Sequence, residues 1–219
     1  MPDLGPMLAS LAIAGLIVVM LAFALGTQRN ISRGNARLQW LQPALPALGR
    51  RTTLRWLGSS AVQLDLVEPV EPFRDVTVLY VLEPRDVPLL WLFTRARGRR
   101  DVLIFRTSLR RAPLLDLEAT VPAAWVKAGD ADEAATWPPA AFPRGVTATA
   151  LGGADQSGVA AAGRAWERLA ASSDAVWRLS IRRTVPHLEV HVRPKDVARV
   201  PANRLVEVII DLGAALAQR

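Results

Sequence analysis

The chain has 219 residues, enough for one globular domain with its own core plus an appendage. It contains no cysteine, which excludes disulfides, cysteine-ligated zinc, iron–sulfur clusters and thiol nucleophiles. Lys and Arg number 27 against 20 Asp and Glu, but only Lys127 and Lys195 are lysines, so the arginine usage reads as coding bias and does not by itself point to nucleic acid.

Residues 7–26, MLASLAIAGLIVVMLAFALG, carry no charge and are long enough to cross a hydrocarbon core of roughly 30 Å as a helix. We expect a membrane anchor rather than a cleaved signal peptide. Residues 1–6 have no positive charge, and the apolar run exceeds the roughly 7–15 residues of a signal core. Asp3 is the sole charged side chain before the run, whereas Arg29, Arg33 and Arg37 follow it closely. The positive-inside rule then puts residues 1–6 outside and the rest of the chain in the cytoplasm.

Residues 27–48 form a juxtamembrane linker, in which 28–42 suit a weakly amphipathic helix interrupted by Pro43 and Pro46. Residues 49–219 are then one cytoplasmic domain. In it TTLRWLG, AVQLDLVE and RDVTVLYVLE alternate apolar and polar positions between Gly58 and the prolines at 69, 72 and 84, the pattern of antiparallel strands. Leu89, Leu90, Leu92 and Phe93 suit a short buried helix ending at Gly98. DVLIFRTSL and LLDLEATV resume strands, and the proline-rich residues 122–143 form an excursion. A helix is expected from Asp155, its N-cap, to Ala171, with Val159, Ala162, Trp166 and Leu169 on one face. AVWRLSIRR and HLEVHVR then read as a hairpin of strands, and LVEVIIDLGAALA as a closing amphipathic helix. The fold class is α+β: a transmembrane helix followed by a domain of antiparallel strands packed with a few helices.

Residues 27–111 hold 15 basic against 7 acidic side chains, and residues 112–219 hold 12 against 12, so the basic excess is membrane-proximal. Attraction to the anionic inner leaflet is its first reading, with a surface for RNA and ordinary solvated faces as the alternatives. The candidate contact surface is Arg95, Arg97, Arg99 and Arg100 around Gly98, with Arg110 and Arg111 further on.

His187 and His191 are the only histidines, with Glu189 between them; in a strand these three share one face while Leu188, Val190 and Val192 point into the core. Ligands at successive same-face positions stand roughly 7 Å apart, too far for all three to reach one ion. The row is therefore read as a solvent face rather than a metal site, and no cofactor is expected. Asp130, Asp132 and Glu133 lack the glycine and distal glutamate of a calcium loop. ALGGADQSG lacks the lysine-serine ending of a P-loop and the three-glycine dinucleotide spacing, and Ser59–Ser60 read as a turn rather than a nucleophile elbow.

The run LYVLEPRDVPLLWLFTRARGRRDVLIFRTSL, residues 79–109, orders its parts as a strand, an Arg85–Asp86 pair, a hydrophobic helix, a basic turn and a strand opened by Asp101. This order, with WRLSIRR, HLEVHV and the closing helix after it, resembles the cytosolic domain of the calumin family of single-pass membrane proteins in the multipass translocon. The resemblance implies a non-enzymatic partner in inserting or folding multi-spanning membrane proteins, near a ribosome or insertase. No acidic region precedes the span and no Lys-rich tail follows the domain in this sequence, so neither calcium binding nor ribosome contact by such a tail is expected.

Overall fold

A computed structural model describes residues 5–121, 133–152, 156–172, 176–193 and 201–217. The first helix, α1 (Gly5–Leu41), runs unbroken for 37 residues, so the separate helix expected over 28–42 is its continuation. After Pro6 in its first turn, α1 meets no proline until Pro43 just beyond it, and there the chain tightens into a 3-10 segment, Gln42–Ala47. The apolar part of α1 is long enough to cross a membrane and is uncovered by the rest of the protein. Its last turns behave differently: Leu41, with Ala44 and Leu48 just beyond, lies in the core.

Eight strands form one antiparallel sheet. They are β1 (Gly49–Trp56), β2 (Ala61–Pro69), β3 (Phe73–Val81), β4 (Val102–Leu109), β5 (Asp116–Thr120), β6 (Thr147–Leu151), β7 (Val176–Ile181) and β8 (Leu188–Val192), in the spatial order β1-β2-β3-β4-β8-β7-β5-β6. With them pack the helices α2 (Pro88–Ala96), α3 (Gln156–Ser172) and α4 (Ala202–Ala217). The expected α+β class holds. Asp130, Asp132 and Asp155, with much of the 122–143 excursion, lie outside the described residues.

The period-two alternation of the strands sorts the two faces of the sheet. Leu64, Val78, Phe105, Val190, Leu179, Ala119 and Ala148 stand in one cross-strand row, all buried. The last turns of α1, α3 and α4 supply the apolar side chains packed against that face, and Ala162, Trp166 and Leu169 meet it from the helix face expected of α3. One position along each strand the other face carries Asp65, Thr77, Arg106, Glu189, Ser180 and Glu118, again in register.

Candidate functional site

The domain meets α1 at the end of its apolar run. A Cβ on Gly26 would overlap the carbonyl oxygen of Arg85 and the nitrogen of Asp86, so only glycine lets this loop close onto the helix. Pro88, two residues later, opens α2, where a missing N–H costs no helical hydrogen bond. Gly98, at φ +87°, follows the last turn. α2 therefore stands at the level where the apolar part of α1 gives way to Arg29 and Arg33.

The helix expected to be buried is not. Leu89 is 82%, Leu92 62% and Phe93 53% exposed, and no residue of α2 is buried. These three positions follow the i, i+3, i+4 spacing of one helical stripe, and that stripe faces outward. Trp91 and Arg95, also four apart, point inward. The Trp91 indole donates to Glu83 Oε2 at 2.5 Å, and Arg95 Nη1 reaches both Glu83 oxygens at 3.1 and 3.0 Å. The amphipathicity is thus inverted relative to a globular surface helix: the polar side holds the domain and the apolar side is uncovered.

Glu83 can be buried because it is fully paired. Pro84 ends the β3 continuation, and the turn brings Arg85 to within 3.3 Å of Glu83 and into a bidentate pair with Asp101 at 2.9 and 3.0 Å. Asn30 of α1 joins them: its Nδ2 donates to the Glu83 carbonyl at 3.1 Å, and its Oδ1 accepts from Arg85. Asp101 Oδ1 also accepts from the Glu83 N–H at 2.8 Å, and Arg33 stands 3.4 Å from its other oxygen. α1, the turn and β4 are thereby tied by one charged knot; Asp86 accepts from Ser59 at 2.5 Å and fastens the β1–β2 turn to it.

Beside the knot lies a polar cleft of about 400 Å³, lined by Arg33, Arg37, Arg85, Arg95, Arg100 and Arg193 together with Tyr80, Trp91, Glu83 and Asp101. Burial pushes the Tyr80 hydroxyl pKa up, with Asp101 adding to the effect and Arg37 opposing it.

The six arginines of the candidate contact surface divide into two groups. Arg95, Arg97, Arg99 and Arg100 cluster at the end of α2, where Arg97 lies 4.0 Å from the Phe93 ring centroid and Arg100 Nη1 donates to the carbonyls of Arg95 and Arg99. Arg110 and Arg111 follow the far end of β4, where Leu109 pairs with Phe73, about 25 Å away along an eight-residue strand. Arg110 lies beside Glu71 there, so the six do not make one surface.

The histidine row is also reassigned. His187, Glu189 and His191 do share a face opposite the buried Leu188, Val190 and Val192, but it is not a solvent face: His187 and Glu189 are buried. β8 is an interior strand, flanked by β4 and β7, and both neighbours send cations to Glu189. Arg106 bonds it at 2.5 Å and Arg178 at 3.4 Å; Arg178 pairs onward with Glu118, which also accepts from Arg182 at 2.6 Å. His187 Nδ1 accepts from the Leu109 N–H at 2.9 Å, which commits it to a structural role. Among the described residues no cluster of His, Cys, Asp or Glu could hold a metal ion.

Sequence reasoning found the arginines after α2 but missed Asn30, Glu83 and Asp101, which organise them. The available signal was the pair of acids at 83 and 101, which bracket a stretch carrying five arginines and one further acid, Asp86. In comparisons with known proteins, no family model and no curated protein matches this chain.

Proposed function

We propose that this chain is a single-pass membrane protein whose domain is held flat against the cytoplasmic surface of the bilayer at two points, α1 through the membrane and α2 in its interface. Its work is done by contacts at that surface rather than by catalysis. The observation that carries this reading is the inverted helix: Leu89, Leu92 and Phe93 face outward at the very level where the apolar run of α1 ends. In water such a stripe is unfavourable, whereas moving a Leu or Phe side chain out of water contributes about 1.5–3 kcal/mol. Arg97, Arg99 and Arg100 flank the stripe where anionic headgroups would meet them, each adding about 1 kcal/mol near such a surface. Photo-crosslinking of the full-length protein in vesicles containing a diazirine-bearing lipid tests the reading. Adducts should map to α2 as well as to α1, and adducts confined to α1 would reject it.

The same uncovered stripe supports a second reading, in which α2 receives an apolar segment of another membrane protein. This is the role implied by the calumin-like order of parts, assistance to insertion or folding near a ribosome or insertase. It predicts co-purification of insertase or ribosomal components with the full-length protein in gentle detergent, lost on L89D/L92D; a preparation free of both speaks against it.

A further inference from the structure

We propose that the cleft between α1, α2 and the end of β8 is a binding site for a phosphoryl group, with a phosphomonoester as the best-matched ligand. Six guanidinium groups face it against two carboxylates, an excess of four positive charges in about 400 Å³. The two acids are already engaged in holding the frame: Glu83 and Asp101 fix Arg85 from both sides, and Glu83 fixes Arg95. Arg100 meets only backbone carbonyls among the described residues, and Arg193 stands over the Trp177 ring, 5.8 Å from its centroid, so neither charge is balanced by a carboxylate there.

Several features select the ligand class. The cations lining the cleft are arginines, as nearly all basic residues of this chain are, and their planar forks suit phosphate oxygens without by themselves selecting them. Arg37, held against the Trp40 and Tyr80 rings, is presented in a fixed orientation, so little side-chain entropy is lost on binding, whereas Arg85, whose Nη1 and Nη2 already serve Asp101, Asn30 and Glu83, adds charge to the wall. The Tyr80 hydroxyl stays protonated and can donate to a ligand, whereas the Trp91 indole N–H is already committed to Glu83. At about 400 Å³ the cavity has room for one small polar group. A phosphomonoester, carrying about −1.5 to −2 at neutral pH, balances the excess charge better than a singly charged diester.

Two sources present that group: a phosphomonoester lipid in the adjacent leaflet and a soluble phosphate ester. Arg33 and Arg37 stand about 10 and 16 Å past Gly26 along α1, at and just beyond headgroup depth if α1 spans as proposed. The lipid source rests on that reading, whereas the pocket itself does not.

The test uses full-length protein in phosphatidylcholine nanodiscs, titrated with inorganic phosphate and glycerol phosphate and read by phosphorus NMR line broadening. The companion variant is R100Q/R193Q, which leaves the Glu83–Arg85–Asp101 knot intact. Saturable broadening in the wild type, weakened about tenfold or more in the variant as expected for lost charge-assisted hydrogen bonds, supports the site. Nanodiscs doped with phosphatidic acid or, separately, phosphatidylglycerol then assign the source. Competition with free phosphate by phosphatidic acid alone identifies lipid; no competition by either identifies a soluble ester. Absence of saturable binding, or equal binding by wild type and variant, overturns the proposal. Because the phosphate titration needs no immersion of α2, its outcome is separable from that of the docking reading.

Discussion

Gly26 of α1 and Arg85 of the domain touch backbone to backbone, in a space that leaves no room for a Cβ. Through this contact the charged knot and α2 are set at a fixed height on α1. Gly26→Val should therefore separate the foot of the domain from the helix while leaving the sheet folded. The loss should exceed the about 1–3 kcal/mol usual for overpacking, because the obstructing atoms are backbone and cannot rotate away. Hydrogen exchange in detergent should show faster exchange in 83–101 and little change in β5 to β8.

Asn30 and Arg85 extend the same junction by a hydrogen bond of 3.1 Å. Asn30→Leu removes it and leaves the Glu83 carbonyl without its side-chain donor, a change expected to cost about 1–3 kcal/mol. Asn30→Asp should cost less than the leucine variant, since a carboxylate still accepts from Arg85. Thermal unfolding of the two variants in one detergent checks the order.

Glu189 supplies the clearest pH dependence. Burial would raise its pKa, but His191 and Arg106 beside it prevail and hold it down at about 2. The folded state thus binds this proton less readily than the unfolded chain, whose ordinary value is 4.5. Its stabilisation is complete above pH 4.5 and is lost as pH falls toward 2. Glu189→Gln should flatten that acid limb. At neutral pH it should cost about 3 kcal/mol, because Arg106 and Arg178 lose a buried partner. Denaturant unfolding across the acid range measures both effects.

His187 acts through neutrality. Burial, with Arg74 adding to it, lowers its pKa, which suits a ring nitrogen that accepts the Leu109 N–H. A depressed histidine stabilises the fold above its unfolded pKa of 6.5, and the contribution is lost as pH falls through the lower folded value. His187→Phe should cost about 1–3 kcal/mol by leaving that N–H unpaired, and should remove this part of the pH dependence.

Much of the fold was legible because it depends on short-range pattern. Alternation in β2, β3 and β4 marks the strands, and the uncharged run in α1 marks a helix long and apolar enough to cross a membrane. The orientation of α2 was not legible, because a Leu89–Leu92–Phe93 stripe looks the same whether protein or lipid covers it. What turns it outward is the hold of Glu83 on Trp91 and Arg95, a tertiary contact without a sequence signature. The histidine row failed for a related reason. Its shared face follows from period two, but its burial depends on Arg106 and Arg178 from flanking strands, and a hairpin reading leaves one of those neighbours out. Arg110 and Arg111 stand close in sequence to Arg100 yet a full strand length away, as β4 dictates.

The most direct test is the depth of residue 92. With no cysteine in the chain, L92C accepts a single spin label in the full-length protein, with L16C in the span and V185C on the far end of the sheet as references. Leu92 is on the surface, so the substitution should leave stability within about 0.5 kcal/mol. In anionic vesicles the label at 92 should be accessible to oxygen and shielded from a nickel chelate, as at 16 and unlike 185. A label at 92 that meets the nickel chelate as freely as one at 185 would contradict the docking of α2 in the interface.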